Sequence, residues 1–133
     1  MNKESYGIYV ASRVKQAPLW KMMLGESCPI ISTWIHETGE NETENFGELW
    51  TRIRNEIASA RALVLYVEPD DFPLKGALIE TGMALALNKP VIVCLPGVVL
   101  DGRTSRPIGS WINHPLVTRN DNIWDALEMA MKL

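Results

Sequence analysis

The stretch KGALIETGMALALNKPVIVCLPG, residues 75–97, joins a run of small and oily residues to a second apolar run across one proline. Residues 76–88 carry no β-branched block and read as a helix. Pro90 cannot continue that helix. The segment PVIVCLP (90–96) is β-branched and apolar at successive positions, which predicts a strand buried on both faces. A helix feeding directly into such a strand is the repeating unit of a parallel sheet. One carboxylate, Glu80, interrupts the apolar helix, and its presence there needs a reason.

The same alternation extends in both directions. YGIYVAS (6–12), PIISTWI (29–35), ALVLYVE (62–68) and PLVTR (115–119) read as strands. PLWKMML (18–24) reads as a short helix with Pro18 in its first turn. FGELWTRIRNEIASA (46–60) sets Leu49, Ile53, Ile57 and Ala60 on one helical stripe, and NIWDALEMAMKL (122–133) closes the chain as an amphipathic helix. HETGENETEN (36–45), with four Glu, is a polar loop whose charges form a solvated surface, and PDDFPL (69–74) is rich in turn formers. Five strands separated by helices predict a three-layer α/β/α sandwich around a five-stranded parallel sheet, flavodoxin-like or Rossmann-like, in a single domain over 1–133.

Composition narrows the function. The apolar fraction of 47% supports a true core, and a net charge of −3 argues against a nucleic-acid polymer as partner. No apolar run reaches the length of a membrane helix, and the amino terminus lacks the layout of a signal peptide. Cys28 and Cys94 lie in apolar runs and read as buried thiols in a reducing, cytoplasmic setting. No Cys/His spacing suggests a metal, and no cofactor is expected. Five Trp in a chain of this size, with the apolar closing helix, point to a homodimer or larger oligomer.

Right-handed crossovers bring the carboxyl ends of parallel strands to one edge, where ligands bind. Ser12 and Arg13, His36 and Glu37, Glu68 to Asp71, and Pro96 with Gly97 arrive there. Glu80, in the second turn of its helix, points toward the same crevice. Gly82 costs about 1 kcal/mol relative to Ala inside a helix. Close packing on the sheet or close approach of a ligand would explain it, and Ala77, Ala84 and Ala86 fit the same tight packing. Two readings of Glu80 stand side by side: a surface residue complementing the helix dipole, or a functional carboxylate among apolar neighbours, kept ionised by the positive helix end.

The segments GIYVAS, EIASARALVLYVE and KGALIETGMALALNKPVIV together resemble the nucleoside 2-deoxyribosyltransferase family, which includes deoxyribosyltransferases and nucleotide N-glycosidases. The family pattern G-x-x-x-E-x-G-x-A-x-A-x-x-K-P-V is met by Gly76, Glu80, Gly82, Ala84, Ala86, Lys89, Pro90 and Val91. The resemblance implies that Glu80 is the nucleophile that attacks the sugar C1′ of a nucleoside or nucleotide. It also implies an oligomer, and an anion site for a 5′-phosphate near Ser12 and Arg13. The chain departs from the family at Ala60-Arg61, where an Ala-Asp pair is usual, and at the closing EMAMKL, which lacks the carboxylate that transferases extend into a neighbouring subunit.

Cleavage of an N-glycosidic bond passes through an oxocarbenium-like state. A carboxylate stabilises that state or bonds to it, and a second acid protonates the leaving base. Asp70 and Asp71 are the candidate acids, because like-charge repulsion between neighbours raises one carboxyl pKa; turn chemistry is the competing explanation for both. Glu68 is a further candidate. Arg13 suits bidentate phosphate contact or a structural ion pair. Tyr9 suits either the sugar site or the core. Trp20, Trp34 and Trp50 are candidates for stacking on a base, though Trp50 also fits a core position. His114 suits a ligand contact or a turn. Three function classes follow: N-glycosidic cleavage or transfer, nucleotide sensing without catalysis on the same scaffold, and cleavage of a dinucleotide such as NAD, for which TIR-like domains use a glutamate on a topologically similar helix.

Overall fold

A computed structural model describes residues 7–25 and 28–133. Tyr6 of the expected first strand, and the amino-terminal residues read for a leader, lie outside them. Four strands, β1 (Ile8–Ala11), β2 (Ala62–Tyr66), β3 (Val91–Cys94) and β4 (Val117–Arg119), form one parallel sheet in the order β1-β2-β3-β4. One row across it runs Tyr9, Leu63, Val91, Val117. β1, β2 and β3 are buried at every position, as apolar runs without alternation require, whereas β4 is partly exposed. Four α-helices accompany the sheet: α1 (Ala17–Gly25), α2 (Phe46–Ser59), α3 (Gly76–Ala86) and α4 (Ile123–Met131). α2 and α3 pack on each other, α3 also rests on β1, β2 and β3, and α4 packs on the same three strands.

The sheet has four strands where five were expected. The missing one is PIISTWI. It begins as a strand beside β1: Ile8 N–H donates to the Pro29 carbonyl at 2.9 Å, Ile31 N–H donates to the Ile8 carbonyl at 3.0 Å, and Ile8 and Ile30 form an isolated parallel bridge. Side chains then replace the ladder. Val10 N–H donates to Ser32 Oγ at 2.6 Å, and Trp34 Nε1 donates to the Val10 carbonyl at 2.8 Å. With both Val10 groups satisfied in this way, the backbone leaves the sheet edge and coils into a 3-10 turn, Thr33–His36. The segment at Ile30 lies on one side of β1 and β2 on the other, so the chain reverses direction across β1. That is the switch point at which open α/β sheets bind ligands.

Local signals set the helix boundaries. Asn45 and Asn122 cap α2 and α4 by accepting from the N–H of Glu48 and Asp125, each at 3.0 Å. α3 ends where Asn88 turns left-handed, at φ 59°, and Lys89 N–H donates back to the Ala84 carbonyl at 2.8 Å. Trp20 and Met23 of α1 are fully buried, and the Trp20 ring meets Tyr66 edge-on with centroids 6.0 Å apart.

α3 inverts the usual pattern. Its buried residues are Ala77, Glu80, Thr81 and Ala84, a stripe at i, i+3, i+4 and i+7, while Leu78 is 42% and Ile79 57% exposed. Thr81 is satisfied within the helix, donating to the Ala77 carbonyl at 2.9 Å. The tight-packing expectation holds for Ala77 and Ala84. It fails for Ala86, which is exposed, and for Gly82, whose missing Cβ would meet nothing within 4 Å. Nothing in the structure explains Gly82. Cys94 is fully buried on β3, and burial pushes its thiol up to about 12; Cys28 is only half-buried. Among the described residues no helix is long and apolar enough to cross a membrane.

Candidate active site

At the carboxyl end of β1 a cavity of about 330 Å³ opens between the β1 exit, the 3-10 turn at Trp34, the first half of α2 and the start of α3. Glu80 lies at its base and is only 7% exposed. The surface-dipole reading of Glu80 therefore does not hold.

Tyr9, on the β1 face that looks toward α3, donates its hydroxyl hydrogen to Glu80 Oε1. Sequence places the two partners simply: Tyr9 is buried on the central strand, and Glu80 sits one turn into the small-residue stripe that lies against it. Burial raises the Glu80 carboxyl to about 7. The Tyr9 hydrogen bond opposes that rise, and the charge of Glu56 adds a further push upward. The expectation of a carboxylate kept ionised is not met, because burial is the dominant influence on it. Tyr9 itself is driven far above its ordinary value, by burial first and by the Glu80 charge next, so it stays a neutral donor.

Aromatic and apolar side chains make the walls: Trp34, Phe46, Leu49, Trp50, Ile53 and Leu74. Leu49 and Ile53 belong to the α2 stripe read from the sequence, and Trp50 is the residue read there as fitting either the core or a base. Gly76 leaves space between Trp50 and Glu80; a Cβ there would sit 3.4 Å from Trp50 Cζ2 and 3.9 Å from Glu80 Oε2.

The rim is cationic. Arg13 lines it, but its Nη1 already donates to the carbonyls of Asp71 at 3.0 Å and Pro73 at 2.9 Å. Arg13 thus fastens the loop before α3. Lys75 lines the rim as well, with φ at 53°, and sequence reasoning missed it because nothing in its local pattern marks it. Ser12 Oγ is used twice, accepting from Trp20 Nε1 and donating to the Arg13 carbonyl, each at 2.9 Å.

Of the expected site residues, Ser12, Arg13, Trp34, Trp50, Gly76 and Glu80 line the cavity and Tyr9 joins them through Glu80, whereas Trp20, Glu68, Asp70, Asp71 and His114 lie outside the lining. Asp71 is fully buried in a polar cluster: Lys15 at 3.1 Å, Gln16 Nε2 at 3.2 Å, and the Glu68 N–H at 2.7 Å. Asp70 pairs with Lys15 at 3.1 Å, which holds its carboxyl below the usual range. Like-charge repulsion between the two aspartates had predicted a rise; Lys15, bridging both, reverses the direction for Asp70. Glu68 and Asp71 cap the short 3-10 turn Pro69–Asp71 reciprocally, and Glu68 also accepts from the Tyr66 hydroxyl. His114 is exposed, and its Nδ1 accepts from Leu116 N–H at 3.0 Å, a turn contact. Glu56, on α2, accepts from Thr33 N–H at 3.1 Å and Thr33 Oγ1 at 2.7 Å. Among the described residues no three His, Cys, Asp or Glu side chains converge as metal ligands would.

The architecture, a parallel sheet with helices on both faces, is shared with solved deoxyribosyltransferases. The 2-desoxiribosyltransferase from Leishmania mexicana superposes with a TM-score of 0.61 over 96% of this chain and 97% of that one, at 18% identity. The 2-deoxyribosyltransferase from Bacillus psychrosaccharolyticus, a biocatalyst for nucleoside synthesis, gives a TM-score of 0.56 over 71% of this chain and 77% of that one, at 21% identity. At these identities the likeness is one of fold. No protein-family model and no curated protein matches the sequence.

Proposed function

We propose that this chain cleaves, or transfers across, the N-glycosidic bond of a nucleoside or nucleoside 5′-monophosphate, with Glu80 as the nucleophile. The observation that carries the reading is a buried carboxylate at the base of an aromatic-walled cavity, with one oxygen held by the Tyr9 hydroxyl and the other facing Gly76. A carboxylate fixed beneath a sugar ring stabilises positive charge at C1′ and can bond to it. The fold shared with two deoxyribosyltransferases supports the same chemistry.

Arg13 and Lys75 at the rim suit an anionic group at the sugar's 5′ end. Because part of the Arg13 guanidinium is spent on backbone carbonyls, Lys75 carries the more available charge. The chain further suits a homo-oligomer: Leu78, Ile79 and Leu87 of the α3 region and Trp124 and Met131 of α4 are exposed. Sedimentation at micromolar concentration tests this, and a lone monomer would contradict it.

The functional reading is tested by measuring base release from nucleosides and their 5′-monophosphates with wild type and Glu80→Gln. Loss of several orders of magnitude in the variant, with its fold retained, is expected. A variant that turns over like wild type would end the proposal.

A further inference from the structure

The cavity holds a nucleophile and, among the described residues that line it, no second carboxylate and no histidine. A neutral base leaves a sugar poorly unless an acid protonates it, a contribution of about 100-fold or more. The acids that chain position had suggested for this task are committed elsewhere. Asp71 is enclosed by Lys15, Gln16 and the Glu68 N–H, and Asp70 is paired with Lys15. Glu68 is held by Tyr66, and Glu56 by Thr33. The Tyr9 hydroxyl faces the nucleophile, and the Ser12 hydroxyl donates to a backbone carbonyl. Along the cavity α2 presents only Leu49, Trp50 and Ile53, besides Phe46 at its start.

From this arrangement, and resting on the reading of Glu80 as nucleophile, we propose that the preferred substrate is an N-glycoside whose base already carries a positive charge, such as a pyridinium or an N7-alkylated purine, on a phosphorylated sugar. Such a base needs no proton in order to leave. The Glu80 carboxylate oxygen forms a bond to C1′, the C1′–N bond breaks, and its electron pair passes to the ring nitrogen, so the base departs neutral. Water then attacks C1′, the C1′–O bond to Glu80 breaks, its pair returns to the carboxylate, and one proton from the water is released. The walls fit this substrate. Trp34, Phe46 and Trp50 supply aromatic surface, which attracts a cationic ring. The anionic Glu80 lies beneath it, while Arg13 and Lys75 stand at the rim, where a 5′-phosphate rather than the base would meet them.

The test compares matched substrates on the wild-type protein: 7-methylguanosine 5′-monophosphate against guanosine 5′-monophosphate, each in ribose and 2′-deoxyribose forms, with nicotinamide mononucleotide as the pyridinium probe. Base release is followed by chromatography. The methylated nucleotide is expected to exceed its neutral parent in kcat/KM by about 100-fold or more, the share a general acid would otherwise supply. Trp50→Leu is expected to raise KM for the charged substrates by about tenfold, the size of a desolvated cation–aromatic contact. Guanosine 5′-monophosphate cleaved as fast as its methylated form would overturn the proposal and leave the N-glycosidase reading standing. Loss of that neutral activity in Lys75→Met would then identify Lys75 as the acid. Release of no base from any of these substrates would overturn both.

Discussion

Tyr9 on the first strand and Glu80 on the third helix, 71 positions apart in the chain, meet through a hydrogen bond from phenol to carboxylate. Both are buried, so the bond fixes which oxygen of Glu80 is held and which is presented. It also favours the ionised form of a group that burial drives toward neutrality. Tyr9→Phe is therefore expected to raise the Glu80 pKa from about 7 by about one to two units, the worth of a hydrogen bond to a charged group. The acid limb of a pH–rate profile would move to higher pH by that amount. An unmoved limb with reduced kcat would show that Tyr9 acts in some other way.

The elevated Glu80 pKa also makes a stability prediction with an unusual sign. A carboxyl of ordinary value 4.5 that rises to about 7 on folding binds its proton more tightly in the native state. Its contribution is fully present below about pH 4.5 and is lost as pH rises through 7, where the buried group must ionise. At pH 9 this costs on the order of 3 kcal/mol. Glu80→Gln should therefore melt above wild type at pH 9 and close to it at pH 4.5. Parallel melting curves at both pH values would contradict the burial argument.

Ser32 and Trp34 replace a ladder at the edge of β1, and this is the feature that the sequence hid. PIISTWI has the composition of a strand and starts as one at Ile30. Strand propensity reports a pleated, half-buried environment, and it does not reveal that a serine hydroxyl and an indole N–H will take the backbone groups of Val10. Ser32→Ala would leave the buried Val10 N–H without an acceptor and is expected to cost about 1–3 kcal/mol. A denaturation midpoint unchanged from wild type would show that the edge is otherwise satisfied.

The remaining architecture was legible because its signals are local. Continuous apolar runs marked β1, β2 and β3, and Pro90 after Asn88 and Lys89 marked the end of α3. Glu80 stood out for the same reason, as one carboxylate in an apolar helix. The partners of Asp70 and Asp71 were not legible. Lys15 lies 55 residues or more upstream in sequence and reaches them only because β1 and β2 are adjacent strands. The cavity walls were legible only as core: Ile53 is buried in the core and Trp50 packs against it, and both also line the cavity, a second use that a core pattern does not mark.

Gly76 lies between Trp50 and Glu80 in the cavity lining. An added methyl would make ordinary contacts of 3.4 Å and 3.9 Å, so Gly76→Ala should fold with stability near wild type. It would nevertheless occupy space beside Glu80. The expected result is a rise in KM of about tenfold, the scale of one or two misplaced methylenes in a binding pocket. An unchanged KM would place the sugar away from Gly76.

Covalent capture tests the role of Glu80 most directly. A 2′-fluoro-arabinosyl N-glycoside slows breakdown of a glycosyl-enzyme, because the fluorine disfavours positive charge at C1′. Incubation of the wild-type chain with this compound, followed by proteolysis and mass spectrometry, should find the sugar on the peptide that contains Glu80. The Glu80→Gln chain should carry none. Base release without an adduct on Glu80, or an adduct on any other residue, would contradict the assignment of Glu80 as the nucleophile.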